Sequence, residues 1–165
     1  MFSYIADNNN TYLLESDFNE LVSTTVSANN FSLIHFNCRS LNKNYDHIVN
    51  YIKLHFSIIE CTETWLTSSN EKYFDIKSYN FVCKNRIIKP GGDVGIYITE
   101  GLDFKIREDL CSLQNDVFES LFTEILQTNS RTNRIVGVVY RPPGCDANLF
   151  NEMLEPALIK VNKED

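Results

Sequence analysis

No apolar run in this sequence approaches the ~20 residues that a membrane-crossing helix needs, so a spanning helix is excluded and no membrane partner is expected. Basic residues are scarce as well: 15 Lys and Arg stand against 22 Asp and Glu, a formal charge of −7. A wholesale binder of nucleic acid or of an anionic membrane would carry a basic stripe, and none is visible. The imbalance is uneven, because residues 1–30 hold Asp7, Glu15, Asp17 and Glu20 and no Lys or Arg. Cysteine is present but unpaired in pattern. The five cysteines, Cys38, Cys61, Cys83, Cys111 and Cys145, are odd in number, widely spread and form no Cys-x-x-Cys pair. Neither a disulfide framework nor a zinc site is suggested; no disulfide partner is expected, and reduced thiols in an intracellular compartment fit best. The N-terminus lacks the basic and apolar regions of a secretory signal, and the chain shows no internal repeat.

What is there is ordinary globular material, 165 residues with 43% hydrophobic and 12% aromatic side chains. A chain of this length buries roughly 70% of the surface it exposes when unfolded, enough for one core. Residues 1–30, rich in Asn, Ser and Thr, read as a polar acidic leader or linker; Phe18, Leu21 and Val22 allow a short helix from Ser16. From residue 31 the pattern becomes regular. A strand over Phe31–Phe36 ends at Asn37, and Leu41, Tyr45, Ile48 and Ile52 then fall on one stripe of a helix. A second strand begins near Phe56. Strand, helix and strand make a βαβ unit, so Asn37 and the end of the second strand should emerge side by side at one sheet edge. Further strands are expected over Tyr79–Cys83, Val94–Thr99, Phe104–Arg107, Phe118–Leu126 and Arg134–Tyr140. With no helices between them, antiparallel pairing is expected. A last helix from about Asn148 carries Leu149, Phe150, Met153, Leu154, Ala157 and Leu158 on one side, with a kink or break expected near Glu155 because Pro156 follows.

The stretch FSIIECTETWL, residues 56–66, is the most informative. Phe56, Ile58, Ile59 and Cys61 are too apolar to face water, and the run then opens into Thr62, Glu63, Thr64 and Trp65. A buried strand that ends in a polar tip is how α/β proteins present a ligand at the carboxyl edge of a sheet. An isolated Glu past a strand is ordinarily a solvated loop residue; Glu63 gains weight from its neighbours in the fold.

Five motifs, FNCRSLN, TETWL, GGDVGIYI, ESLFTEI and VVYRPPG, occur in this order. Together they resemble the endonuclease domain at the front of non-LTR (LINE-type, jockey/CR1-like) retrotransposon polyproteins, a branch of the endonuclease/exonuclease/phosphatase family. The resemblance covers about residues 31–155. It implies an α/β fold, a two-sheet α/β sandwich of the DNase I-like type, here incomplete, and phosphodiester cleavage with Mg²⁺, or Mn²⁺ in its place. Glu63 takes the place of the family's metal-holding carboxylate, Asn37 that of the amide supporting metal and phosphate, and Tyr140 that of the tyrosine at the scissile phosphate. One carboxylate beside an amide is credible as part of a Mg²⁺ site, since this hard ion keeps several waters and is often held by only one or two carboxylates. Arg86 and Arg141 are the candidates for phosphate contacts, because guanidinium forks match phosphate oxygens. Lys84, Arg86 and Lys89 read also as a solvated turn.

The family's Asp-x-Asn turn and its Asp-His pair are missing from these 165 residues, and His35, His47 and His55 do not replace them by position. Asp93 stands where relatives commonly have a third glycine. The expectation is therefore the N-terminal part of such a domain, catalytically silent or nearly so as it stands and marginally stable alone. DNA would be its partner in the complete domain, a reverse transcriptase would follow downstream, and nuclear access would be required. Two alternatives remain open: a non-catalytic interaction protein derived from the fold, and a family phosphodiesterase or phosphatase acting on phospholipid head groups, inositol phosphates or RNA tails.

Overall fold

The computed structural model describes residues 15–25, 30–52, 56–86, 91–114, 116–127 and 132–163. Lys89 lies outside this set, as do residues 1–14 of the leader and the side chain of Ile52. Within it, the βαβ unit expected from the sequence is present: strand β1 (Leu33–Asn37), helix α2 (Leu41–Ile52) and strand β2 (Ile58–Thr62), with β1 and β2 parallel. Helix α1 (Glu15–Thr25) precedes them. Both strands begin two residues later than the apolar pattern suggests. Phe56 is buried without belonging to the strand, and the ring of Phe31 instead lies 4.6 Å below the Arg134 guanidinium.

A single-turn 3-10 helix (Glu71–Phe74) follows, then β3 (Tyr79–Lys84) and β4 (Val94–Thr99), β5 (Phe104–Ile106), β6 (Ser112–Gln114), β7 (Phe118–Ile125) and β8 (Arg134–Tyr140). Every pair after β1–β2 is antiparallel, as the absence of intervening helices requires. The first sheet has the order β1-β2-β4-β3. In the second, β5 and β6 pair with successive halves of one edge of β7, and β8 pairs along the other. The strand β6 went unseen in the sequence because three residues carry too little alternation to register.

Two apolar layers hold these elements. One face of the first sheet, through Ile34, Phe36, Ile59, Cys61 and Tyr97, packs on Leu41 and Ile48 of α2, on Val22 of α1, and on Phe74 and Ile76. Its other face, through Ile58, Val94, Ile96 and Ile98, meets Leu121 and Ile125 of β7 and Val136 and Val138 of β8. The result is a partial two-sheet sandwich with α1 and α2 on the outer face of the first sheet, and burial of such side chains is worth about 1.5–3 kcal/mol each. Beyond β1 the sandwich stays open: Leu33, on the face turned away from the helices, is 41% exposed.

Helix α3 (Ala147–Val161) starts within a residue of the expected position. It begins with Asp146 as N-cap, whose carboxylate accepts from the N–H groups of Asn148 and Leu149 at 2.9 and 3.1 Å. It then runs through Pro156 without a break. Pro156 and Glu152 both lie on the exposed side, where the carbonyl that loses its partner can turn to water. Nor is its apolar stripe covered. The ring of Phe150 meets Phe118 edge-on at 5.6 Å, but no residue of α3 is buried, and Leu149 and Leu158 are 41% and 52% exposed.

One buried charge has a measurable signature. Glu60 sits mid-strand in β2, on the same phase as Ile58 and beside Ile96 in register. Burial pushes its carboxyl up from 4.5 to about 7. Folding therefore favours the protonated form, and stability falls as the pH rises between these two values, the full penalty being present above the upper one. Glu60→Gln is expected to match wild type at pH 4 and to be more stable at pH 8 by roughly 2–3 kcal/mol. Urea unfolding of both proteins at the two pH values checks this; equal gains at both would remove the titration as the cause.

Candidate active site

The ends of β1, β2 and β8 and the starts of β4 and β7 meet at one end of the sandwich. Asn37 closes β1, Glu63 follows β2, and Tyr140 closes β8. Asn37 Nδ2 donates to Glu63 Oε1 at 3.0 Å, the adjacency that parallel pairing of β1 and β2 demands. The Tyr140 phenol, from the opposite sheet, stands close enough to the same carboxylate to feel its charge. Burial, reinforced by the charges of Glu63 and Glu119, raises the Tyr140 phenol above its ordinary value. The three residues singled out by sequence thus converge on one carboxylate.

The backbone around Glu63 is held on both sides. Toward α2, the N–H groups of Cys38, Ser40 and Leu41 donate to the carbonyls of Thr62, Glu63 and Thr64 at 2.8, 2.9 and 2.8 Å. Toward β4, the N–H groups of Thr64 and Trp65 donate to the carbonyls of Asp93 and Gly92, each at 3.4 Å. Between these clamps Glu63 adopts φ +52° and Trp65 φ +55°, a left-handed conformation uncommon outside glycine. Such residues persist where the surroundings over-determine them, and they cluster at functional sites.

Two carboxylates lie behind the site that the sequence reading did not select. Glu119, at the start of β7, faces Tyr140 directly across the β7–β8 ladder and has no exposed side-chain area. Its Oε1 accepts from Arg86 Nε at 2.6 Å and from a terminal nitrogen of the same guanidinium, while its Oε2 accepts the N–H of Asp93. Asp93 Oδ1 in turn accepts the N–H of Arg86. Burial raises the Asp93 carboxyl to about 6, opposed by the Arg86 N–H and assisted by the Glu119 charge. Asp93 has φ +68°, a conformation that favours glycine, and its carboxylate accepts the Arg86 N–H while its own N–H donates to Glu119. The neighbouring Gly92 has no such latitude. With φ +82°, a Cβ there would sit 2.5 Å from Glu119 Oε1 and 2.7 Å from the Arg86 guanidinium carbon.

Arg86 and Arg141 are therefore placed differently. The Arg86 side chain is 5% exposed and engaged by Glu119, with Asp116 at 3.9 Å. It lies under the site rather than on its surface. Arg141 is exposed beside Tyr140, and one of its terminal nitrogens donates to the Cys145 carbonyl at 2.8 Å. A signal for Glu119 did exist in the sequence: Leu121 and Ile125 set the inward phase of β7, and Glu119 shares it.

The donors at Glu63 suit a hard divalent cation, since they are oxygens and the Asn37 amide keeps its carbonyl oxygen uncommitted to Glu63. They do not make a closed cage; among the described residues no group of three or more His, Cys, Asp or Glu could hold a metal. An ion here would keep waters or take oxygens from a substrate, as Mg²⁺ commonly does.

No protein-family model matches the chain, and no curated protein does. Solved structures do match it in fold. A crystal structure of D. rerio TDP2 complexed with single strand DNA product aligns with a TM-score of 0.60 at 14% identity, over 82% of this chain and 56% of that one. A humanized D. rerio TDP2 carrying 14 mutations aligns with a TM-score of 0.56 at 14% identity, over 80% and 59%. The likeness is one of fold: a partial α/β sandwich of the DNase I-like, endonuclease/exonuclease/phosphatase type. The chain spans little more than half the length of these structures.

Proposed function

We propose that this chain carries the metal-holding part of a Mg²⁺-dependent phosphodiesterase site that acts on DNA. The observation that carries the reading is the meeting at Glu63 of Asn37, which donates to its carboxylate, and Tyr140, which lies beside that charge from the other sheet. Glu63 and the Asn37 amide oxygen would hold the ion. When bound, Mg²⁺ would stabilise negative charge developing on the phosphate and on the leaving oxygen. Asn37 holds the Glu63 carboxylate by its amide, and Tyr140, beside it, would offer its hydroxyl to a phosphate oxygen. Arg141 offers guanidinium donors beside it, while Arg86, read from the sequence as a second phosphate contact, supports the site from beneath. These residues bind and orient; no proton transfer is assigned to them. The solved structure with single strand DNA product in the same fold supports DNA as the substrate class.

The finer reading is a retroelement endonuclease that nicks target DNA to prime reverse transcription, supported by the five ordered motifs. It implies a reverse transcriptase in the same polyprotein and access to the nucleus. A second reading, a non-catalytic interaction protein, is favoured by the uncovered stripe of Leu149, Leu158 and Ile159 on α3.

Fluorescence anisotropy of a labelled single-stranded oligonucleotide separates the two. With a net charge of −7, the protein should repel DNA unless a cation bridges carboxylate and phosphate. Binding is expected to strengthen about tenfold or more on adding Mg²⁺, and Glu63→Gln should lose that increment while keeping its fold. Binding indifferent to both Mg²⁺ and Glu63→Gln would overturn the phosphodiesterase reading in favour of the interaction protein.

A further inference from the structure

A buried ion pair is weak support for stability, because apolar residues of similar volume often replace it without loss. The Arg86–Glu119 pair is buried on both sides, and two hydrogen bonds tie its residues to one strained turn. Glu119 Oε2 accepts the Asp93 N–H, Asp93 Oδ1 accepts the Arg86 N–H, and Gly92 packs so closely that no Cβ fits against the pair. The carbonyls of that turn are the acceptors for the Thr64 and Trp65 N–H groups on the far side of Glu63. Glu119 also stands directly across from Tyr140 in the β7–β8 ladder. One buried carboxylate thus touches both routes to the site, the backbone that carries Glu63 and the strand position that carries Tyr140.

We infer that Glu119 is a positioning residue: with Arg86 it locks the Gly92–Asp93 turn, which holds Glu63 in its left-handed conformation between two backbone clamps and within reach of Asn37 and Tyr140. The inference deepens the metal-site reading and rests on it for its functional consequence, but its structural content stands separately. The charge of Glu119 is among the causes that raise the Tyr140 phenol, consistent with this adjacency.

The test uses the double variant Arg86→Met/Glu119→Leu and the conservative Glu119→Gln, each read by urea unfolding, by amide hydrogen exchange at Thr64 and Trp65, and by Mn²⁺ titration. The double variant removes both charges without orphaning either, so its unfolding midpoint should stay close to wild type. Exchange at Thr64 and Trp65 should nevertheless quicken about tenfold, and Mn²⁺ affinity should fall about tenfold, the usual loss when a group supporting a ligand is removed. Glu119→Gln keeps an acceptor for the Asp93 N–H but loses the charge that holds Arg86, so it should restore only part of the exchange protection and leave Mn²⁺ affinity severalfold reduced. A stable double variant with wild-type exchange and wild-type Mn²⁺ affinity would show the pair to be structural only and overturn the proposal. Should the double variant not fold, Glu119→Gln decides: Mn²⁺ affinity reduced severalfold supports positioning, and unchanged affinity overturns it. If the wild type binds no Mn²⁺, the metal-site reading fails, and exchange in the two variants still decides the role of Glu119.

Discussion

Arg86→Met, with Glu119 left in place, is expected to cost about 3–5 kcal/mol of folding stability. The size follows from what remains behind. Glu119 has no exposed side-chain area, so a lost guanidinium leaves a carboxylate with the Asp93 N–H as its remaining hydrogen-bond donor in a region water does not reach. Breaking one side of a buried pair is far worse than removing both, because the survivor is an uncompensated charge. Domains of this size are stable by only about 5–15 kcal/mol in all, and here the open face of β1 and the uncovered stripe of α3 leave less apolar burial to draw on. Arg86→Met should therefore lie near the edge of unfolding at room temperature. Urea unfolding followed by circular dichroism measures it, with Lys84→Met as control. Lys84 pairs with the exposed Glu108 at 2.7 Å, an ion pair worth about 0–1 kcal/mol. Equal, small losses for both variants would mean that the Arg86–Glu119 pair is not buried as described.

Much of the fold could be read from the chain because its signals are local. The apolar runs of Val94–Thr99 and Arg134–Tyr140 give both strands to the residue, and the stripe of Leu41, Tyr45 and Ile48 gives α2. Parallel pairing around that helix is what puts Asn37 beside Glu63, 26 residues apart in sequence and 3.0 Å apart in space. What could not be read depends on partners distant in sequence. Arg86 looks like a surface cation in a basic turn until β7 brings Glu119 against it from 33 residues away. Phase alone marks Glu119 as inward-facing, but not which cation meets it. Asp93 looks like a departure from a glycine pattern, whereas its strained backbone is held by the two hydrogen bonds it makes to Arg86 and Glu119. The stripe on α3 reads as a packing face, and periodicity says nothing of whether anything lies opposite; here the ring of Phe118 meets that of Phe150 edge-on. Pro156 was weighed by the helix bond it removes, a cost that shrinks where the freed carbonyl faces water.

The second large effect concerns Glu63 itself. Asn37 donates to its carboxylate, Tyr140 lies beside that charge from the other sheet, and its backbone is pinned on each side. If it holds the ion, its removal should abolish binding, whereas loss of a supporting group should only weaken it. Asn37→Ala and Tyr140→Phe are thus expected to cost about 10–100-fold in metal affinity, and Glu63→Ala to leave no measurable site. Glu63 is half-exposed in a loop, so its truncation should spare the fold. Surface carboxylates such as Asp103 and Glu100 provide the control for nonspecific binding.

The decisive measurement is a Mn²⁺ titration of the 165-residue chain followed by electron paramagnetic resonance, for wild type and Glu63→Ala side by side. One site in the wild type, competed by Mg²⁺ and absent from a folded Glu63→Ala, is the predicted result. A wild type without a specific site, or a site that survives Glu63→Ala unchanged, would contradict the assignment of this end of the sandwich as a metal-dependent phosphodiesterase site.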